Sequence, residues 1–320
     1  MKIVVADPNL VPHRERLEAM AAGCQIEWKP GGAKPEDLSG VQVYIGSRFN
    51  ADMARAAEQL RLIHVAGAGT EKIDFDALPP DVLVANTFHH ERSIAEYVVA
   101  TAVLLRRGFL SQDRKLRDNV WATSVYDNTI PQARTLGDAH IGFVGFGHIG
   151  MRSWNLLRAF GCTAAAVTRS GRVRSDLGLT WSGNTGELNR LMSDCDVAVV
   201  SAPLNPRTEG MIGPAQLEEL GPDGVLINVG RGPLIQERAL YDALSNRVIK
   251  GAAIDVWYRY PSDGSDCAPA ELPFATLPNL LMTPHSSGIT TETFTGRIDD
   301  VAANIARLRR GEPLRNLVAR

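Results

Sequence analysis

The stretch Ile141–Gly150, IGFVGFGHIG, constrains this chain more than any other. Ile141, Phe143 and Val144, set around Gly142, predict a short buried strand. The strand runs into a glycine-spaced turn and then into MRSWNLLRAF, which carries helical apolar spacing. Gly145 permits a tight turn, Gly147 lets backbone approach a pyrophosphate, and Gly150 lets the helix pack closely on the strand. His148 and Ile149 open the helix, whose N-terminal amides and dipole favour phosphate. A bare glycine triplet fits many structural turns. A strand before it and a helix after it predict a dinucleotide-binding unit, with all five of these turn and helix-start residues at the cofactor.

The 320-residue chain is long enough for two ordinary domains. Its 44% hydrophobic and 22% charged residues are those of a globular protein with a full core. A net charge of −2 gives no support for nucleic-acid or membrane-surface binding. Cys24, Cys162, Cys195 and Cys267 show neither C-x-x-C spacing nor a His/Cys cluster, so a reduced cytoplasmic chain without a metal site is expected. The apolar run from Ile94 to Leu105 contains Glu96 and is too short to span a bilayer, which reads as a buried helix.

The first hundred residues alternate strand candidates (Ile3–Ala6, Ile26–Trp28, Val43–Gly46, Leu62–Ala66, Val82–Asn86) with helical ones (Pro12–Ala22, Ala51–Leu60). Alternation of this kind predicts an α/β fold with a parallel sheet. Ala66-Gly67-Ala68-Gly69-Thr70 follows a strand, where open α/β sheets place ligands, although a plain tight turn fits equally. His89-His90-Glu91-Arg92 precedes a helix expected over Ser93–Leu105 with Ser93 as N-cap. These four residues read either as an exposed polar loop or as an element tuning substrate choice toward a polar or doubly charged acid, with Arg92 the residue to test. Residues 106–136 read as an irregular crossover. The last helix is expected at Thr291–Arg310 with Gly311 as its cap.

The second strand of the glycine-turn unit, Thr163–Val167, ends in Thr168-Arg169-Ser170. NAD-binding units place Asp or Glu near this point for the ribose 2′-hydroxyl. Here a hydroxyl and a guanidinium stand instead, with Arg172 and Arg174 close behind, a set suited to a 2′-phosphate. The expected cofactor is NADP(H), with NAD(H) possible if the loop is merely a solvated basic segment.

Seven further pieces share an order and spacing: AGAGTEKID (66–74), SIAEY (93–97), VGFGHIG (144–150), APLNPRT (202–208), INVGRGPLIQERAL (227–240), AAIDVW (252–257) and MTPHSSG (282–288). On these the chain resembles the D-isomer-specific 2-hydroxyacid dehydrogenase family, in its glyoxylate/hydroxypyruvate reductase-like form. The resemblance implies two doubly wound parallel-sheet domains, Rossmann-like and flavodoxin-like. Residues 1–105 plus 289–320 would form a discontinuous substrate domain and 106–288 the dinucleotide domain, with the active site in the cleft between them. It also implies a homodimer, a small anionic substrate held by the amides of Ala68 and Gly69, and Ala202, Pro203, Thr208, Val229 and Asp255 along the cofactor, Asp255 at the nicotinamide carboxamide.

The chemistry follows from residue types. Reducing a 2-keto acid needs a hydride source, a proton for the developing alkoxide and a cation for the carboxylate. His285 suits the proton donor. Arg231, between two glycines, suits bidentate carboxylate binding and polarisation of the keto oxygen. One departure stands out. Where the family has a Glu paired with the catalytic His, this chain has Tyr260 before Pro261. Tyr260 hydrogen-bonding and orienting His285, a substitute carboxylate at Asp263 or Asp266, and weak activity are the three expectations. Two rival functions remain at this level. One is oxidation of another small oxyanion, as in formate or phosphite dehydrogenases, although the lysine of the phosphite enzymes corresponds to Ala68. The other is a nucleotide-sensing corepressor.

Overall fold

The computed structural model describes residues 1–262 and 265–319 and divides into two compact units, residues 1–90 with 289–320, and residues 91–288. In the first unit β1 (Lys2–Val5), α1 (Arg14–Met20), β2 (Gln25–Trp28), β3 (Val43–Ile45), α2 (Ala51–Ala56), β4 (Leu62–His64) and β5 (Leu83–Ala85) follow one another. The strands pair in parallel in the order β2-β1-β3-β4-β5. Alternate side chains leave opposite faces. Ile3 and Val5 enter one buried cluster with Leu17, and Val4 enters another with Phe49 and Ile63.

The second unit contains α3 (Glu91–Arg106), α4 (Phe109–Arg117), β6 (His140–Val144), α5 (His148–Leu157), β7 (Thr163–Val167), β8 (Trp181–Gly183), α6 (Leu188–Asp194), β9 (Val197–Val200), α7 (Pro214–Leu220), β10 (Val225–Asn228), α8 (Glu237–Ser245), β11 (Gly251–Ile254) and β12 (Leu280–Met282). Its seven strands are all parallel, in the order β12-β11-β10-β9-β6-β7-β8. Strand order reverses at β6 and β9. Val197 and Val199 face one helical layer and Ala198 and Val200 the other, so the sheet is buried on both faces.

The last helix, α9 (Thr291–Arg310), belongs to the first unit. Thr290 caps its start by accepting from the Thr293 amide, and Gly311 ends it with a φ of 70°. Its Phe294, Ile298, Val301, Ile305 and Leu308 pack with Ile3, Val5 and Leu17. His64, fully buried on β4, joins this helix: its Nε2 lies 3.0 Å from Asn304 Nδ2, and burial pushes its pKa down to about 4. The amide donor and the neutral ring match.

Several boundaries differ from the sequence expectation. The helix expected in the first domain, α3, packs in the second: Ile94, Val98, Ala102 and Leu105 share a cluster with Ile141, Phe143, Trp154 and Leu157. Arg106 at its end is buried against Asp196 at 3.1 Å, and its Nε donates to Thr135 O. The helix also begins at Glu91, whose carboxylate suits the positive end of the dipole, which places Ser93 inside it and not at the N-cap. The expected irregular crossover contains α4. The helix expected over Pro12–Ala22 begins as a 3₁₀ turn, Pro8–His13, before α1. Among the described residues, no helix is long and apolar enough to cross a membrane.

Candidate active site

The reversal of strand order in the second unit leaves a crevice at the carboxyl ends of β6 and β9. Gly145 leaves β6 with a φ of 89°, and a Cβ there would lie 2.6 Å from the Ala202 amide at the end of β9. No other residue fits between these two backbones. Gly147 is the opposite case, since a Cβ would meet nothing within 4 Å. It stands at the open mouth of α5, which begins at His148 without a side-chain cap. Ile149 is half-buried beside it, and Gly150 packs against the Gly145 carbonyl, where a Cβ would stand 3.1 Å away. Amide donors, an open face and a positive helix end fit a pyrophosphate.

At the end of β7 the Thr168 hydroxyl is buried without a hydrogen-bond partner, whereas Arg169 and Ser170 are exposed. A buried unpartnered hydroxyl is costly unless a ligand satisfies it. Arg174 pairs with Asp176 at 3.1 Å. Past β9, the Thr208 hydroxyl donates to Pro203 O at 2.7 Å and accepts from the Asn205 amide at 2.9 Å, which fixes the Ala202–Thr208 loop. Val229, 5% exposed, closes the neighbouring strand end.

The chemistry-bearing residues meet around Trp257. Gly232 follows Arg231 and abuts it so closely that a Cβ would stand 2.4 Å from the Trp257 carbonyl. Asn228, buried, donates to Arg231 O at 3.0 Å and accepts from the Gly230 amide at 3.1 Å, so the arginine loop is closed from both sides. Arg231 Nη1 donates to Gly230 O at 2.9 Å. The Trp257 amide donates to the Tyr260 hydroxyl at 3.1 Å, and the Trp257 indole donates to Thr283 O at 2.9 Å, two residues before His285. His285 sits at a φ of 58°, a left-handed conformation uncommon outside glycine, in a turn held by other side chains.

Asp255 holds it. Its fully buried carboxylate accepts from the Thr283 hydroxyl (2.6 Å), the Ser286 amide (2.8 Å), the Ser287 amide (3.1 Å) and the Ser287 hydroxyl (2.5 Å). Both oxygens are committed to the His285 turn. The carboxamide contact implied by resemblance would share these oxygens with the turn. Thr283 also bonds the Tyr97 hydroxyl at 3.0 Å, and burial pushes that phenol up to about 12. Tyr97, Thr283, Ser286 and Ser287 were not among the expected site residues. The signal was present, as three hydroxyl residues flanking Pro284-His285 opposite a lone buried aspartate.

Tyr260 is placed beside His285, with ring centroids 5.6 Å apart and planes at 53°. Its hydroxyl accepts from the Trp257 amide, and its ring makes the contact to His285. Asp266 is exposed and accepts from its neighbour Ser265, and Asp263 lies outside the described residues. The histidine loop also takes another part. His89 Nε2 lies 2.8 Å from Asp300 Oδ2 and His90 Nδ1 3.4 Å from Arg297, both on α9. Arg92 faces Glu96 at 3.5 Å on an exposed side of α3, a solvated pair.

In the first unit the loop after β4 is tied back by Asn86 Nδ2 donating to Ala68 O at 2.9 Å and by the Thr87 amide donating to Gly67 O at 3.1 Å. Peptides are trans throughout the described chain, so anchoring these carbonyls turns the Ala68 and Gly69 amides the opposite way. Two adjacent amides aimed alike suit an anionic group.

Comparison with known proteins shows the family to which the chain belongs. Residues 99–287 match the family model for the D-isomer specific 2-hydroxyacid dehydrogenase, NAD binding domain, and the chain belongs to the D-isomer-specific 2-hydroxyacid dehydrogenases. It is accordingly an oxidoreductase of the NAD(P)-dependent kind that acts on the CH–OH group of 2-hydroxy acids. It is 30% identical to the 2-ketogluconate reductase of Gluconobacter oxydans (strain 621H) over 84% of this chain and 82% of that protein. Identity to the D-3-phosphoglycerate dehydrogenase of Escherichia coli (strain K12) is 31%, over 88% and 68%. Among solved structures, the fold matches the NAD complexed D-isomer specific 2-hydroxyacid dehydrogenase from Lactobacillus delbrueckii ssp. bulgaricus with a TM-score of 0.83, at 23% identity and full coverage of both chains. A probable 2-hydroxyacid dehydrogenase from Rhizobium etli CFN 42, in complex with NADP, HEPES and L(+)-tartaric acid, matches at 0.77 with 25% identity over 99% and 97%.

Proposed function

We propose that the protein transfers hydride between NADP(H) and a small 2-keto or 2-hydroxy acid, with Arg231 as the carboxylate and carbonyl ligand and His285 as the proton-transfer residue. The convergence of the Arg231 loop, Tyr260 and the His285 turn on Trp257 carries this reading. In this reading the Arg231 loop, tied by Asn228, and the His285 turn, tied by the buried Asp255 carboxylate, form one wall of the site.

The bound nicotinamide supplies or accepts the hydride at its C4 atom. Arg231 neutralises the substrate carboxylate and draws electron density from the C2 carbonyl, which makes C2 a better hydride acceptor. His285, protonated, gives its proton to the oxygen as negative charge develops there; in the oxidative direction the neutral ring takes it back. The Ala68 and Gly69 amides are assigned to the carboxylate. Gly145, Gly147, His148, Ile149 and Gly150 are assigned to the pyrophosphate, and Ala202, Pro203, Thr208 and Val229 to the remaining cofactor contacts.

The preference for NADP(H) rests on Thr168-Arg169-Ser170, where the buried Thr168 hydroxyl lacks a partner and no carboxylate opposes a 2′-phosphate. Initial rates of NADPH and NADH oxidation against a panel of 2-keto acids are the test. At least a tenfold higher kcat/KM for NADPH is expected, and Arg169→Asp should reverse it, since one charge-assisted contact is worth about 1.5–3 kcal/mol. An NADH preference in the wild type sinks the cofactor assignment. Oxidation of formate or phosphite without keto-acid reduction would return the other oxyanion reading. Tight NADPH binding without any turnover would return a sensor.

The homodimer belongs to the same proposal. Trp121, Val125 and Tyr126, in the second unit, are 63%, 77% and 69% exposed, and Trp121 and Tyr126 meet edge to face at 5.6 Å. Exposed aromatic clusters of this kind mark protein contacts. Sedimentation should give twice the 34.7 kDa chain mass, and a single-chain mass would contradict it.

A further inference from the structure

Two neighbouring peptides of the loop after β4 are held by one short segment after β5. The Thr87 amide donates to Gly67 O at 3.1 Å, and Asn86 Nδ2 donates to Ala68 O at 2.9 Å. The first bond fixes the peptide that carries the Ala68 amide, and the second fixes the peptide that carries the Gly69 amide. Of the two, the second comes from a side chain. A donor on the Ala68 carbonyl also polarises that peptide, which makes the Gly69 N–H at its other end a stronger donor.

Asn86 is braced in turn by the segment that follows α9. One edge of β5 pairs with β4, and along its other edge this segment runs antiparallel. Leu317 bridges Ala85, the Asn86 amide donates to Asn316 O at 3.1 Å, and the Val318 amide donates to Val84 O at 2.8 Å. The segment is anchored at its start by Asn304 of α9, which has no exposure. Asn304 Oδ1 accepts from the Arg315 amide at 2.9 Å, and its Nδ2 donates to Arg315 O at 3.0 Å and to His64 Nε2 at 3.0 Å. The buried His64 ring places its other nitrogen 3.3 Å from Val65 O, three residues before Ala68. The loop, Asn86, the segment and Asn304 thus form one hydrogen-bonded network inside the first unit. Its buried members favour a single arrangement. A segment that only shielded a sheet edge would need its backbone bonds to β5 and nothing more. Here those bonds end on the residue whose side chain sets the loop.

We propose that residues 316–318 act on substrate binding: they fix the backbone of Asn86, and Asn86, as a positioning residue, aims the Gly69 amide at the substrate carboxylate. The inference rests on the assignment of that carboxylate to the Ala68 and Gly69 amides. The effect is one of binding, so it falls on KM for the 2-keto acid. The cofactor cradle belongs to the second unit and keeps its affinity.

The test compares KM for the 2-keto acid, NADPH affinity and melting temperature in Asn86→Ala, Asn86→Asp, Val318→Pro, the Asn86→Ala/Val318→Pro double variant and Gly69→Pro. Asn86→Ala should raise KM by about three- to tenfold, the usual effect of one lost hydrogen bond, with NADPH affinity unchanged. Asn86→Asp keeps the size but loses the donor and adds a like charge, so KM should rise at least as far; a wild-type KM there would overturn the role of the hydrogen bond. Val318→Pro removes the N–H that donates to Val84 O and should raise KM in the same direction. The double variant should be no worse than Asn86→Ala, because both changes act along one route; effects that multiply would overturn that route. Gly69→Pro deletes one assigned amide outright. A raised KM in Gly69→Pro with a wild-type KM in Asn86→Ala would sink the proposal and leave the carboxylate assignment standing. A wild-type KM in Gly69→Pro, with NADPH bound, would sink the assignment itself. Amide hydrogen exchange of the wild-type NADPH complex needs no variant: oxamate, an isostere of a 2-keto acid, should slow exchange at Gly69 and also at Val318. Protection confined to the loop would overturn the part given to residues 316–318.

Discussion

Replacement of His285 by asparagine is expected to lower kcat for 2-keto acid reduction by about 10²–10⁴, the usual contribution of a positioned general acid. Asparagine tolerates the left-handed backbone that His285 adopts at a φ of 58°, so the turn survives and only the proton donor is lost. Binding of NADPH should change little, because the phosphate cradle at Gly145–Gly150 lies on other strand ends of the sheet. Steady-state kinetics and a cofactor titration separate the two effects. A variant that loses cofactor binding in proportion to kcat would mean that the turn, and not the imidazole, is what the substitution removed.

Removal of the Asp255 carboxylate, as Asp255→Ala, is expected to be the most damaging single change to the site's architecture. It strands the Thr283 and Ser287 hydroxyls and the Ser286 and Ser287 amides in a region where Asp255 has no exposure. Unpaired donors, of which those of Ser287 are buried, and a lost charge-assisted network put the cost at about 2–4 kcal/mol. That corresponds to a fall in melting temperature on the order of 4–16 °C for a unit of this size. Activity should fall further than stability, because the His285 turn loses its clamp. Had Asp255 served the nicotinamide carboxamide, the same variant would raise KM for the cofactor and leave the melting temperature near that of the wild type. The two outcomes are distinct in a single thermal melt with parallel kinetics.

The sequence exposes the parts of the fold whose causes are local. Gly145, Gly147 and Gly150 are readable because a tight turn, an open backbone and a close packing each demand glycine, and the structure gives each that environment. The last helix is readable at both ends, since Thr290 and Gly311 are local signals. Other elements leave no such trace. Helix α4 buries none of its residues, so Gln112, Asp113, Arg114, Lys115 and Arg117 give it no apolar stripe to read. The stripe of α3 shows that the helix is buried but not against which sheet, and its packing on Phe143 and Trp154 is a tertiary fact. The site divides in the same way. Arg231 and His285 stand out by residue type and motif, but the Asp255 clamp and the turn of the Tyr260 hydroxyl toward Trp257 depend on how separate strand ends meet. Periodicity does not carry that information.

The central claim is direct hydride transfer between a nicotinamide and C2 of a 2-keto acid at the Arg231 and His285 wall. Incubation with C4-deuterated NADPH and a 2-keto acid that the enzyme turns over, followed by mass spectrometry and chiral analysis of the product, tests it most directly. The account predicts deuterium at C2 of the D-2-hydroxy acid, with no label in solvent. Product without deuterium when either face of the nicotinamide is labelled, or an L-configured product, would contradict it.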